Sequence, residues 1–444
     1  MPKESQSQGE ASESPPVPSA PTPTPTQTSS TSTHSRGKSL NDKAISVRAV
    51  RSNTKQSHGD RPPSAVSKSK SSKPPADSRP AQQKPLVNPY IYQMTKMTLA
   101  SPTMMHWSRA PVSGLLPSRH LRAHSMTLVD SVIWIFGGTD ESDSRDDIYT
   151  LDTETFIWGK PKPLGDLPPP SRAHTATLVQ NRYIFIVGGG QDFVYYNTVY
   201  IFDTLTHRWI RPEIPGEKPI ARRAHTACLH NGRLFIFGGG NGTVALNDVW
   251  AMDVTVPFDK LRWEQIKPRE GAVPSPRGYH TSNLVGNVMV IIGGSDGRDC
   301  YSDIWVMDLD TYLWKEVNTD EKYPCMFHSS TQVGSYLFVL GGHNGVSFVS
   351  DLVLFNLVTL QYESRSCAGR TFPPRGYHGA VLADSRLIVT GGFDGESVFD
   401  DVSVLDLAAL AYLPQVTRFG IIIDEQGVYV EDEGAEYQEE GYVD

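Results

Sequence analysis

Cysteine is scarce: Cys228, Cys300, Cys325 and Cys367 are the four in 444 residues, and no two form a C-x-x-C pair. That spacing offers neither a disulfide framework nor a zinc set, and it points to a reducing compartment. The opening residues, MPKESQSQGE, lack the apolar stretch of a secretory signal, and no apolar run approaches the ~20 residues that span a bilayer. The expectation is a chain with no transmembrane segment, resident in the cytoplasm and able to visit the cell cortex or nucleus. Catalytic signatures are missing as well: there is no G-x-S-x-G, no H-E-x-x-H and no P-loop. Gly188-Gly189-Gly190 follows an apolar run but opens no helical pattern, so it is no nucleotide cradle.

Large aliphatic and aromatic side chains are nearly absent from residues 1–86, where PPVPSAPTPTPTQTSSTSTHS is typical. Such a stretch cannot bury enough apolar surface to offset chain ordering, and it reads as a disordered tail. It is also basic, running from Arg36 and Lys38 to Arg79 and Lys84, whereas no Lys or Arg follows Arg418. Residues 432–444 read as an acidic tail. Ser14-Pro15, Thr22-Pro23 and Thr24-Pro25 suit proline-directed kinases, and PPVPSAP suits an SH3-type partner through polyproline II. No specific nucleic-acid partner is indicated.

What is present, between 87 and 431, is a repeat. Short β-branched or aromatic runs each end in a glycine pair: Gly137-Gly138, Gly188-Gly189, Gly238-Gly239, Gly293-Gly294, Gly341-Gly342 and Gly391-Gly392, spaced 48 to 55 residues apart. A period near fifty with continuous apolar strands and no i, i+3, i+4 spacing marks four-stranded propeller blades. Within each unit an Asp or Asn precedes an aromatic by six residues: Asp152 and Trp158, Asp203 and Trp209, Asp308 and Trp314, Asn356 and Tyr362, Asp406 and Tyr412. The third unit inserts residues between Asp253 and Trp263. The glycines allow close backbone approach, and the aromatic fills the wedge between neighbouring sheets.

These residues resemble the kelch repeat family, whose pattern is an apolar run, Gly-Gly and then spaced aromatics. The resemblance covers about residues 110–412 and implies an all-β kelch-type propeller with six clear repeats. Leftover segments set the blade count. Asn88-Pro89-Tyr90-Ile91-Tyr92 reads as a third strand, Trp107 as a fourth, and RFGIIIDEQGVYVEDEG as a first and second. Two strands from each end would make a seventh blade and close the ring by pairing the termini; six blades is the alternative.

The family's common use of this fold, among Rab effectors and fungal cell-end polarity factors, implies a non-enzymatic protein-binding scaffold in polarity, trafficking or signalling. A metal-dependent oxidase or lyase of kelch fold is the alternative, since the family also contains a copper oxidase. That chemistry needs a Cys-crosslinked Tyr with a second Tyr and two His, and none of the four cysteines sits in such a setting. No catalytic residue, metal or cofactor is therefore assigned. Six histidines, His124, His174, His225, His280, His328 and His378, recur in one register and read as scaffold, as do Arg122, Arg172, Arg223, Arg277 and Arg375. The loops between second and third strands vary while the strands repeat, which makes them the expected partner surface. Its candidates are Arg145, Phe193, Tyr195, Tyr196, Arg298, Tyr301, Asn344, Phe348 and Phe399.

Overall fold

The computed structural model describes residues 104–117, 120–407 and 419–432. Expectations for the 1–86 tail, for Asn88 to Tyr92, for Tyr412 and for the C-terminal tail lie outside them. Among the described residues the secondary structure is strand throughout, apart from one 3-10 turn at Phe258–Lys260 in the insertion of the third unit. Phe258 there packs edge-on against Tyr183 and Phe185.

Each blade is built on four antiparallel strands, and in blades 1, 2 and 6 a short parallel strand, Ser113–Gly114, Leu164–Gly165 or Cys367–Gly369, is added at the outer edge. In blade 4 the strands are Thr281–Val285, Val288–Ile292, Ile304–Asp308 and Trp314–Val317. The second strand is buried throughout because blades cover both of its faces, which is why its sequence is uniformly apolar rather than alternating. The Asp-to-aromatic frame is a turn device. Asp308 Oδ1 accepts from the N–H groups of Asp310 and Thr311, and Tyr312 takes a left-handed φ of 61° immediately before the outermost strand. Asp152 and Asn356 cap their turns in the same way.

The blades close on themselves as six, not seven. Their innermost strands contact one another in one unbroken cycle, from Ser125–Val129 around to Gly379–Ala383 and back. Trp107 lies on a fourth strand, as the sequence suggests, but of blade 6. Met105–Arg109 pairs antiparallel with Val402–Asp406, the third strand of the last repeat. This corrects the seven-blade reading: the N-terminal strand fills the fourth place in an existing blade. The C-terminal segment forms the expected hairpin, Phe419–Ile423 with Val428–Asp432, yet it joins no blade. Its Ile421 and Ile423 are buried in the cluster that holds Val306, Val317 and Leu357, and its Glu425 meets Arg269 and Lys315.

Seams between blades are packed by the fourth-strand aromatics. Trp209 of blade 2 lies 5.0 Å from Phe136 of blade 1, and Trp314 of blade 4 lies 5.1 Å from Phe237 of blade 3. Both glycines of the first pair have left-handed φ, 65° and 90°, and a Cβ on Gly138 would come within 2.8 Å of His124 Cβ. Only glycine fits there.

Candidate functional site: the loop and linker face

In a four-stranded antiparallel blade, the loop between strands 2 and 3 and the linker into the next strand 1 emerge at the same edge. Side chains of the variable loops and of the interblade linkers therefore share one face of the ring, and hydrogen bonds tie them together. Asn197 Nδ2 donates to Pro219 O, and Asn247 Nδ2 to Pro274 O.

At the axis this face is stitched by backbone. The residue before each repeated histidine has left-handed φ. Its N–H donates to the carbonyl of its counterpart in the preceding blade, in a closed circle through Ala123, Tyr377, Phe327, Tyr279, Ala224 and Ala173. Blades 1 to 3 contribute alanine to this circle, and blades 4 to 6 contribute aromatics whose rings meet. Phe327 stacks on Tyr377 at 4.0 Å, and Tyr279 meets Phe327 edge-on at 4.5 Å.

Five of the repeated histidines join neighbouring blades. Nε2 of His174, His225, His280, His328 and His378 pairs with a Ser or Thr hydroxyl of the preceding blade at 2.9 to 3.2 Å. Burial lowers them to about 3 in His174, His225, His328 and His378, with nearby positive groups adding to the effect at His225 and His378. They stay neutral at physiological pH. Among the described residues no group of three or more His, Cys, Asp or Glu is placed to hold a metal ion.

The arginines fall into two registers that the sequence reading merged. Arg222, Arg277 and Arg375 stand three residues before the histidine and are buried. Each Nη1 donates to a carbonyl of its own blade's glycine pair, and each guanidinium grips an aspartate, Asp248, Asp303 or Asp401, at 2.6 Å. Arg122, Arg172 and Arg223 stand two residues before the histidine, in blades 1 to 3 only. Of these, Arg223 lies over the Tyr195 ring and Arg122 over Phe393.

The nine candidate loop residues separate by position. Arg145, Tyr196, Tyr301 and Phe399 occupy one repeated site, where the backbone N–H donates to the second glycine of the pair. Their side chains are engaged inward: Arg145 with Asp140, Tyr196 Oη with Pro170 O, and the Tyr301 and Phe399 rings against Arg277 and Arg375. Tyr195 and Phe348 lean on the next loop, at Gly242 and at Gly376 and Gly395. Asn344 Oδ1 accepts from Val346 and Ser347 N–H and shapes its own loop. Phe193, 82% exposed, and Arg298 point outward.

Exposed aliphatic residues were missed. Val194, Val244 and Val346 sit on loop tips, and Leu116, Leu167, Ile220 and Val273 sit on linkers rising to this edge. With Phe193, they are eight of the thirteen exposed large apolar side chains among the described residues, whereas the turns of the opposite face expose Leu205. Seven of the eight lie on blades 1 to 3 or the linkers bordering them. The signal available in sequence was an aliphatic residue flanked by Gly, Pro or polar residues, where no strand pattern gives it a core role.

The KLHDC2/KLHL20/DRC7 Kelch-repeats domain family matches residues 92–294 and 256–417. Among curated proteins, the chain is similar to Kelch domain-containing protein 3 of Rattus norvegicus, 30% identical over 202 residues that cover 43% of this chain and 51% of that one. It is also similar to Host cell factor 2 of Homo sapiens, 28% identical over 249 residues, 51% of this chain and 31% of that one. A third similarity is to the Dynein alpha chain of the flagellar outer arm of Chlamydomonas reinhardtii, 30% identical over 210 residues, 43% of this chain and 5% of that one. The matches span about half the length of these relatives or less.

Proposed function

Since this chain belongs to the kelch-repeat family, we propose that its propeller is a non-enzymatic docking module that binds a protein partner on the blade 1 to 3 sector of the loop and linker face. The observation that carries this reading is the gathering of exposed apolar side chains there, Phe193, Val194 and Val244 foremost, beside the half-buried Arg172 and Arg223. Apolar side chains without a core role, rimmed by polar loops on a rigid ring, suit a partner surface. Cell polarity, trafficking or signalling is the proposed setting, in the cytoplasm, at the cortex or in the nucleus. The tail's kinase and SH3-type contacts are a further proposal, on residues outside those described.

The test is affinity capture from native cells with the full chain, a Phe193→Ser/Val194→Ser/Val244→Ser variant and a Leu205→Ser variant of the opposite face. The reading expects partners to be lost with the triple variant and kept with Leu205→Ser, at unchanged melting temperature. Identical partner lists for all three would overturn it.

A further inference from the structure

On a blade's fourth strand, the residue just before the wedge aromatic points to the opposite face, towards the rim of the next blade. Four blades place a polar side chain there: Arg208, Arg262, Gln361 or His106. Blades 4 and 1 place an aliphatic one, Leu313 or Ile157, with opposite outcomes. Leu313 is 5% exposed and shares one buried cluster with Ile421 and Ile423 of the C-terminal hairpin, whose second strand lies against Trp314–Val317. Ile157 is 50% exposed. Leu115 adjoins it: Ser113 pairs with Ile157, and Leu115, two residues on, shares that face and is 63% exposed. Single exposed aliphatics are ordinary on any surface, but this pair stands at a register that the other blades keep polar or covered.

The chain itself lies within reach of the pair. Met105–Arg109 belongs to blade 6, and Ser113, eight residues after Met105, lies beside Ile157. Met105 is therefore at most ~32 Å from Ile157, at ~3.4 Å per residue plus one strand spacing. Tyr92 stands 13 residues before Met105, a reach of ~44 Å when extended. Residues 87–99, VNPYIYQMTKMTL, are also unlike the tail before them. Tyr90, Ile91, Tyr92 and Met94 stand close together, suited to an extended segment on an apolar face, and Lys96 is the one charge. The charged side chains nearest Ile157 in sequence are already paired, Lys160 with Asp147 at 2.8 Å and Glu154 with Arg386 at 3.5 Å. An uncharged cover leaves that balance intact.

We propose that residues 87–99 lie across the outer wall of blade 1 and cover Ile157 and Leu115, an N-terminal counterpart of the hairpin that covers Leu313 on blade 4. Lys84 is thereby held at the wall of blade 1, the first blade of the docking sector. The cover does not rest on the docking reading, because neither Ile157 nor Leu115 belongs to that sector, and either proposal can fail alone.

The test is hydrogen–deuterium exchange on the full chain, read by mass spectrometry over residues 87–99. Amides there should exchange about tenfold more slowly than in a free peptide of that sequence, the effect of half-burying two aliphatic side chains. Ile157→Asp combined with Leu115→Asp should return them to the free-peptide rate at unchanged melting temperature, since both side chains are largely exposed in the ring. Leu164→Asp, an equally exposed leucine at the edge of blade 2, and the Phe193→Ser/Val194→Ser/Val244→Ser variant should leave the protection as it was. Tyr90→Ser/Ile91→Ser/Tyr92→Ser should remove the protection and speed exchange at residues 113–116; this variant leaves the ring unaltered and decides if the Asp pair does not fold. Free-peptide exchange in the unaltered chain, or protection that survives either set of substitutions, would overturn the proposal. So would a dimer, seen by light scattering, that the Asp pair dissociates, because a second copy would then be the cover.

Discussion

Arg222 and Arg223 are adjacent in sequence, carry the same charge and are assigned opposite duties by the fold. The Arg222 side chain is 1% exposed and makes four hydrogen bonds: Nε to Ile220 O, Nη1 to Gly238 O and to Asp248, and Nη2 to Asp248. Burial alone would raise the Asp248 carboxyl, but the bonds and charge of Arg222, with the Trp250 indole N–H, outweigh it and hold the group below its ordinary value. Replacing Arg222 with Ala strands that carboxylate and two carbonyls. Removing one member of a buried pair costs 3–5 kcal/mol, and because Asp248 is 23% exposed and water can reach it, about 3 kcal/mol is expected here. For a ring of this size that is roughly 4 °C in melting temperature. Arg223→Ala removes one contact over Tyr195 and a bond to Asp192 O at 3.3 Å, and should cost under about 1 kcal/mol. Thermal unfolding of both variants by circular dichroism at neutral pH makes the comparison, with total charge matched. Equal shifts, or a larger one for Arg223→Ala, would refute the division of the arginines into two registers.

Acid should unfold the ring early. The unfolded chain takes up protons on histidine from about pH 6.5 downward, while the folded histidines, lowered to about 3, do not. Stability is then complete above pH 6.5 and falls as pH drops towards 3, by roughly 2 kcal/mol per histidine at pH 5. Four such residues bring the loss within reach of a typical domain's whole stability, so tryptophan fluorescence should show a midpoint near pH 5; an intact fold at pH 4 would contradict this. Trp107→Ala tests ring closure. Trp107 is buried and stacks on Phe372 at 5.1 Å, so the change should cost about 3–5 kcal/mol, as for a core tryptophan elsewhere in the ring. A loss below about 1 kcal/mol would mean that Met105–Arg109 does not close blade 6.

The repeat, its apolar runs before the glycine pairs and the spacing of Trp158, Trp209 and Trp314 from their turn residues were legible in the sequence, because a blade's covalent grammar is local. An apolar run, a glycine pair that must turn left-handed and an Asp that caps its own turn are each decided within a few residues. The scaffold role of the histidines was legible too, from their shared register. Register alone could not separate Arg222 from Arg223, since only the packed ring shows which of two neighbours is turned inward. Loop aromatics were equally ambiguous: Tyr301 and Phe399 lie against the arginines of their own blades, whereas Phe193 stands clear, and sequence records no difference between them.

Ring closure was beyond local reading altogether. Whether Trp107 completes a sixth blade or begins a seventh depends on the angle at which six wedges meet, a sum over every seam that no segment carries. The closing seam shows the same limit. Thr390 and Leu121 are each unremarkable at their own positions, and they line one pocket because closure brings the last blade against the first. Local chemistry determined the blade, and the geometry of the closed ring decided which side chains face solvent, which face each other and where space is left between them.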